Sequence, residues 1–352
     1  MTTLSQNMIK KIECRGTPYE VGFIHGSAAT EEIERCINFY AGFFLEKSKQ
    51  SWPQVKETAK SFDLEIRAKW PRFHQELQGI ADGSKRDLLD IVAINVRTEI
   101  AFGLFSDGCT SLFWHTSNHE FLAQNWDWVE AQKQNLIALS IYQDSLPTIK
   151  MITEAGIVGK IGFNSAGVGV CLNAIRAKRL DASRMPVHLG LRTVLKSSST
   201  KEAVAKLTEA GMAASAHMLI VDGSGDATGL EFTSSTFAEL PVNAQGRIIH
   251  TNHLILPHEG AHEVPWLKDS VERVERMAYL TDKFEGKEPT WPEVSRLFED
   301  RDGLPGAICR SQELPSTSAT LFNIVMDLKG KHAVVRMGKP CDVEESFKLS
   351  FE

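Results

Sequence analysis

The chain has 352 residues, enough to bury a large core, and its 42% hydrophobic and 24% charged residues are the balance of an ordinary globular protein. A formal net charge of -6 with no basic run excludes a nucleic-acid footprint, and no apolar stretch reaches the length of a membrane span. Six cysteines (Cys14, Cys36, Cys109, Cys171, Cys309, Cys341) without CxxC spacing argue against a disulfide framework and a zinc site.

Met1-Thr2-Thr3-Leu4-Ser5-Gln6 lacks a basic segment followed by an apolar one, so secretion is not expected. Leu349-Ser350-Phe351-Glu352 is not a peroxisomal tripeptide. A cytoplasmic protein with reduced thiols is the expectation.

Residues 1 to about 105 read as mostly helical. Order begins at residues 13–26. Thr30 can cap a helix through Phe44, with Glu31 and Glu32 in its first turn. The next helix carries Pro53 in its first turn and an apolar stripe of Val55, Ala59, Phe62 and Ile66, and Pro71 interrupts it. Asp87-Leu88-Leu89-Asp90 opens a further helix toward Phe102, which Gly103 and the Ser106-Asp107-Gly108 turn then end.

From residue 109 the period changes. Cys109-Thr110-Ser111-Leu112-Phe113-Trp114 is rich in β-branched and aromatic residues and reads as a strand; residues 115–120 are a polar turn and 121–128 a returning strand. If Trp114 faces residue 121, Cys109 lies opposite residue 126, and Asp127 arrives beside the start of the first strand. Further strands are expected at residues 136–143, 148–152, 160–163 and 167–172, then helices at 187–196 and 201–210. Strands at 218–222, 229–233 and 248–251 follow, then helices at 269–284 and 291–298, and the chain closes on strands at 320–326, 333–337 and 347–351. That order suggests two sheets sandwiched by helices.

The chemistry concentrates at Gly108-Cys109. Glycine leaves the upstream carbonyl open to attack and tolerates strained geometry. The thiolate is a strong nucleophile, and an α-amino group freed by scission, with a pKa of ~8, can serve as base for its own side chain. Taken alone, a buried Cys is more often a small core residue and Asp-Gly an ordinary turn. Asp127 ranks second, as a carboxylate that can orient the freed amine. Asn252, in His250-Thr251-Asn252-His253, ends an apolar strand and offers an amide N–H to an oxyanion, although an Asx turn is the commoner role. Arg310, after Gly303-Leu304-Pro305-Gly306, could clamp a substrate carboxylate or simply be solvated.

Other candidates carry less. His253, His258 and His262 have spacing that resembles a metal site, but Pro257 and Gly260 interrupt it, and no metal is expected. His115 and His119 fall in the hairpin turn, away from Cys109. Gly211-Met212-Ala213-Ala214-Ser215 lacks a full nucleophile elbow, and Gly223-Ser224-Gly225-Asp226 lacks the ending of a phosphate cradle.

Seven motifs in order make the chain recognisable: Asp107-Gly108-Cys109-Thr110, Gln124-Asn125-Trp126-Asp127, Gly162-Phe163-Asn164-Ser165-Ala166-Gly167-Val168, Gly211-Met212-Ala213-Ala214-Ser215-Ala216, His250-Thr251-Asn252-His253, Ile308-Cys309-Arg310 and Ala319-Thr320-Leu321-Phe322-Asn323-Ile324. Together with Gly16-Thr17-Pro18-Tyr19-Glu20-Val21-Gly22 and His25-Gly26-Ser27-Ala28-Ala29, they span nearly the whole chain. It resembles the fungal penicillin acyltransferases (acyl-coenzyme A:6-aminopenicillanic acid, or isopenicillin N, acyltransferases) of the N-terminal nucleophile hydrolase superfamily.

The resemblance implies an α+β fold, a four-layer αββα sandwich preceded by a mostly helical N-terminal segment. It implies self-cleavage between Gly108 and Cys109 into fragments 1–108 and 109–352 that stay together as one composite unit. By position, Cys109 matches the nucleophile, Asp127 the carboxylate near its amino group, Asn252 the oxyanion-hole amide and Arg310 the active-site arginine. Acyl-CoA is the implied co-substrate, a β-lactam amine or another amide the partner small molecule, and no cofactor is needed. Two departures bear on substrate: Trp128-Val129 stands where the family has paired Phe, and Thr233 follows Leu230-Glu231-Phe232 where the family has Ser. These three positions lie near the expected acyl pocket. A cysteine amidohydrolase acting on another N-acyl or peptide-like metabolite is the alternative within the fold. An unprocessed, non-catalytic binding paralogue is the alternative outside it.

Overall fold

The chain enters the fold on a strand that its polar sequence does not announce. In the computed structural model, which describes residues 8–101, 108–177, 179–261 and 267–351, Lys10–Arg15 forms β1. Residues 1–6, Phe102, Gly103, Ser106, Asp107 and His262 of the sequence reading lie outside the described residues. Six helices follow: α1 (Pro18–Ala28), α2 (Thr30–Ser48), α3 (Trp52–Lys69), α4 (Pro71–Ser84), α5 (Leu88–Asn95) and α6 (Arg97–Ile100).

Local chemistry accounts for most of their boundaries. Thr17 and Glu20 close a capping box on α1. Thr30 does not cap α2; it is the first helical residue, and its hydroxyl donates to the Gly26 carbonyl of α1 at 3.0 Å. The stripe Val55, Ala59, Phe62 and Ile66 on α3 is fully buried, each large side chain contributing roughly 1.5–3 kcal/mol. Asp87 caps the next helix by accepting from the Leu89 N–H at 2.8 Å. The single helix expected from there breaks at Val96 into α5 and α6, where Asn95 turns its side-chain amide to the Gly156 carbonyl at 2.7 Å. Helices α1 and α4 touch backbone to backbone through Gly22, Gly26, Gly79 and Gly83, where any Cβ would overlap main-chain atoms of the partner helix.

The second part of the chain builds two sheets. Strands β2 (Cys109–His115) and β3 (Glu120–Trp128) pair antiparallel, with Trp114 opposite Phe121 and Cys109 opposite Trp126, the register expected from the sequence. Their turn is shorter than expected because His115 and Glu120 pair across the ladder and join side chains at 2.8 Å. Next come β4 (Leu136–Tyr142), β5 (Ile149–Glu154), β6 (Ile161–Asn164), β7 (Gly169–Ala174), α7 (Val187–Leu195) and α8 (Thr200–Ala210). Strands β8 (Ala216–Val221), β9 (Ala227–Phe232), β10 (Phe237–Leu240) and β11 (Arg247–His250) precede α9 (Asp269–Asp282) and α10 (Trp291–Leu297), and β12 (Ala319–Asp327), β13 (His332–Lys339) and β14 (Asp342–Ser350) close the chain. Strands β1 and β10 and the start of β14 are not expected from the sequence. All three are polar edge strands, whose exposed side chains hide the period.

One sheet has eight strands, in the order β1-β4-β5-β6-β7-β8-β9-β10, and the other six, β11-β2-β3-β12-β13-β14. Every pairing is antiparallel except β1 with β4. Strand alternation sends Cys109, Phe113, Leu122 and Trp126 into the large core between the sheets. It sends Leu112, Trp114, Phe121 and Ala123 into a second core with Met277 of α9 and Val294 of α10. Helices α7 and α8 pack on the eight-stranded sheet, so the layers run helix, sheet, sheet, helix. This is the expected αββα sandwich.

Candidate active site

Cys109 opens β2 with Gly108 buried immediately before it. Its backbone N–H donates to Asn252 Oδ1 at 2.7 Å, and its carbonyl accepts from Arg273 Nη1 at 2.7 Å and Asn173 Nδ2 at 3.2 Å. The first residue of the strand is therefore held at both backbone polar groups by side chains from three other elements.

Asn252 follows β11, and its partners fix which way its amide faces. Two donors, the Cys109 N–H and Arg273 Nη2 (2.9 Å), lie on one side and the Ala174 carbonyl on the other, so Oδ1 faces Cys109 and Nδ2 donates to Ala174 at 3.0 Å. It is the amide oxygen that meets Cys109 in the intact chain, and the N–H expected to serve an oxyanion lies on the other side. An amide nitrogen carries two protons, however, and Ala174 takes one.

Asp127 sits at the end of β3, fully buried, beside an irregularity in β12 between Thr320 and Phe322. Its Oδ1 accepts from Thr320 Oγ1 at 2.7 Å, and its Oδ2 lies 3.4 Å from Arg310 Nε. Burial pushes its carboxyl up to about 7, outweighing the attraction of Arg310 and Arg273. Arg310 links Asp127 to the Gly108–Cys109 junction, with Nε 3.4 Å from the carboxylate and the guanidinium packed on Gly108.

Arg310 is buried, not solvated. Its guanidinium binds Asp269, meets Ser316 Oγ at 3.1 Å and packs so closely on Gly108 that a Cβ there would lie 2.5 Å from Nε. The Arg310 backbone N–H donates to Thr320 Oγ1 at 3.0 Å, which ties it to the same hydroxyl that serves Asp127.

Cys109, Gly108, Asp127, Asn252 and Arg310 thus come together at one end of the six-stranded sheet. Trp128, Val129 and Thr233 have other immediate partners. Trp128 is buried against Phe43, with ring centroids 5.7 Å apart; Val129 is half-buried before a 3-10 turn at Glu130–Asn135. Thr233 follows β9 and spends its hydroxyl on a turn, 2.8 Å from Thr236 Oγ1. His253 meets Ser270 Oγ at 2.8 Å and His258 lies 3.2 Å from Glu231, and no His/Cys/Asp/Glu group among the described residues could hold a metal. His115 and His119 pair with Glu120 and Asp327.

Three features escape the sequence reading. Arg273 is fully buried and bridges Cys109, Thr110 Oγ1 (3.1 Å) and Asn252. Ser270, Arg273, Met277 and Thr281 form the buried stripe of α9, a helical period disguised by its polar members. Asn173 Oδ1 accepts from Ser111 Oγ at 2.7 Å and stands 2.9 Å from His217 Nδ1, an arrangement that turns its Nδ2 toward Cys109. Glu154, buried near Trp126 and Trp128, accepts from Arg97 and Lys160 at 2.7 Å each. Burial opposes its ionisation, but the two cations hold its carboxyl below the usual carboxylate range.

The family model for acyl-coenzyme A:6-aminopenicillanic acid acyl-transferase matches residues 114–342. The acyl-coenzyme A:6-aminopenicillanic-acid-acyltransferase 40 kDa form of Emericella nidulans is 43% identical over 345 residues, 97% of this chain and 96% of that protein. Two structures of conjugated bile acid hydrolase variants from Clostridium perfringens share the fold at 13% and 14% identity, with TM-scores of 0.50 and 0.52, over 69% of this chain and 92% of theirs. The chain therefore belongs to the acyl-coenzyme A:6-aminopenicillanic acid acyl-transferase family, on the fold of the N-terminal nucleophile hydrolases.

Proposed function

We propose that the chain makes its own nucleophile by cutting the Gly108–Cys109 bond, and that Cys109 then transfers an acyl group from coenzyme A to a β-lactam amine, 6-aminopenicillanic acid in the name of its Emericella nidulans relative. The observation that carries this reading is the 2.7 Å bond from the Cys109 N–H to Asn252 Oδ1. The nitrogen that scission would turn into an α-amine already has its acceptor in the uncut chain.

In the first reaction the Cys109 sulfur attacks the Gly108 carbonyl carbon. The C–N bond breaks, nitrogen takes a proton, and the resulting thioester is hydrolysed to leave Gly108 as a carboxylate. Fragments 1–108 and 109–352 stay joined through the β1–β4 pairing and the packing of α2 on the 3-10 turn. In the second reaction the α-amine takes the thiol proton, the thiolate attacks the acyl thioester, and coenzyme A leaves as its thiol. The acceptor amine then attacks the acyl-enzyme and regenerates the thiol. Asn252 holds the amine through Oδ1 and offers its second Nδ2 proton to the oxyanion. Arg310 and Asp127 hold the junction in shape. Trp128, Val129 and Thr233 remain the candidates for acyl and acceptor contacts, because two of them directly follow Asp127. Thiolate attack and proton transfer are supplied by Cys109 through its thiol and freed α-amine, and oxyanion binding by Asn252, so no cofactor beyond the co-substrate is assigned. A cytoplasmic setting suits a working thiol, and no described helix is long and apolar enough to cross a membrane.

The test is coenzyme A release from an acyl-CoA by the processed protein, with and without 6-aminopenicillanic acid, and with Cys109→Ala as control. Release that requires the amine and is absent in the variant is expected. Release indifferent to the amine would replace acyl transfer by hydrolysis, and undiminished release by Cys109→Ala would overturn the nucleophile.

A further inference from the structure

Two of the six cysteines face each other next to the candidate active site. Cys309, buried and one residue before Arg310, points its sulfur at that of Cys341, 3.1 Å away and 32 positions further along the chain. Cys341 is exposed, at the two-residue turn between the paired residues Lys339 and Asp342 of the β13–β14 hairpin. Closing the gap to a disulfide bond of ~2.05 Å asks for a shift of about 1 Å. An exposed hairpin turn can supply that shift more readily than Cys309, whose backbone N–H is bonded to the Asp300 carbonyl at 2.8 Å.

We propose that Cys309 and Cys341 are a reversible dithiol–disulfide pair, a redox modification site that clamps the Arg310 segment to the β13–β14 turn. The inference needs only the placement of these two sulfurs and does not depend on the acyl-transfer reading. Glutathione disulfide is the oxidant class. The exposed Cys341, as its thiolate, attacks one glutathione sulfur; the glutathione S–S bond breaks and one glutathione thiol leaves. Cys309 then loses its proton and attacks the Cys341 sulfur of the mixed disulfide, releasing the second glutathione. Two protein thiols are oxidised by two electrons, and one glutathione disulfide is reduced to two thiols. Burial and the hydrogen bond to Cys341 push the Cys309 thiol up to about 12, which makes Cys341 the entry point and Cys309 the resolving group.

The location gives the pair a route to the candidate active site. Arg310 follows Cys309 in the chain, its backbone exchanges hydrogen bonds with Thr320, and Thr320 Oγ1 donates to Asp127. A bond between Cys309 and Cys341 therefore restrains the segment that holds Arg310 against Gly108.

The experiment uses the full-length protein in glutathione buffers from fully reduced to strongly oxidising, with quenching by iodoacetamide and mass mapping of cysteine peptides. The expected product is a linked Cys309–Cys341 peptide pair that dithiothreitol reverses. Oxidation should raise the thermal unfolding midpoint of the wild type and leave that of Cys341→Ser unchanged, since a cross-link restricts the unfolded chain. Separate alkylation of both residues in the most oxidising buffer would overturn the proposal. So would glutathione stably attached to Cys341 with Cys309 still alkylatable, because that describes a lone surface thiol.

Discussion

The elevated carboxyl of Asp127 gives a stability signature of definite sign. The comparison is Cys109→Ala against Cys109→Ala/Asp127→Asn, so that both chains stay uncut. Asp127 moves from an ordinary 3.8 to about 7 on folding because burial penalises its anion more than Arg310, Arg273 and Thr320 favour it. Between those two values the folded chain keeps a proton that the unfolded chain has released. The carboxyl therefore costs stability progressively as pH rises through this window, and the cost is complete above the folded value. Three units at ~1.36 kcal/mol each make about 4 kcal/mol across the window, of which about 2 kcal/mol falls between pH 5 and 7, because the folded carboxyl is itself half ionised at pH 7. Asparagine cannot titrate and keeps an oxygen for Thr320. Urea unfolding at a series of pH values should show the double variant gaining on the single one by that amount from pH 5 to 7, then levelling off. A constant difference, or a single variant that gains on the double one as pH rises, would refute the reasoning. Either result would mean that Arg310 keeps Asp127 ionised.

Three further substitutions follow from named contacts. Gly108→Ala places a Cβ 2.5 Å from Arg310 Nε, so Arg310 must give up part of its hold on Asp127 and Asp269. Scission, followed on denaturing gels, should slow severely with the fold retained by circular dichroism; cleavage at the wild-type rate would contradict this. Asn252→Ala removes the acceptor of the Cys109 N–H and one partner of Arg273. Its scission rate should fall by ~10²–10³-fold, the scale of a lost oxyanion-type contact. Glu154→Gln leaves Arg97 and Lys160 buried without their shared carboxylate, which should cost roughly 3–5 kcal/mol in urea unfolding. A loss under ~1 kcal/mol, the range of exposed pairs, would show that the cluster is solvated.

The parts of the molecule legible in the sequence are those where side-chain period and burial agree. The hairpin of β2 and β3 is the clearest, because one aromatic register pairs Trp114 with Phe121 and so brings Cys109 opposite Trp126. The α3 stripe and the Asp87 cap are equally local. What stays hidden depends on contacts between distant segments. Strand β1 joins the sheet through backbone bonds to β4 while its side chains are largely exposed. Arg273 looks like one charge among many on α9 until the helix is laid against β2. Which way the Asn252 amide faces is set only by the positions of Arg273 and Ala174, which turn its oxygen to Cys109. Family likeness makes Arg310 a candidate, but its burial against Gly108 comes from packing no motif encodes.

The most direct test of self-activation is the intact mass of the purified chain under denaturing conditions, beside that of Cys109→Ala. Two polypeptides, the larger beginning with Cys109, are predicted for the wild type, and one 39.1 kDa chain for the variant. A wild-type protein that remains a single 39.1 kDa chain while releasing coenzyme A from an acyl-CoA would contradict the account.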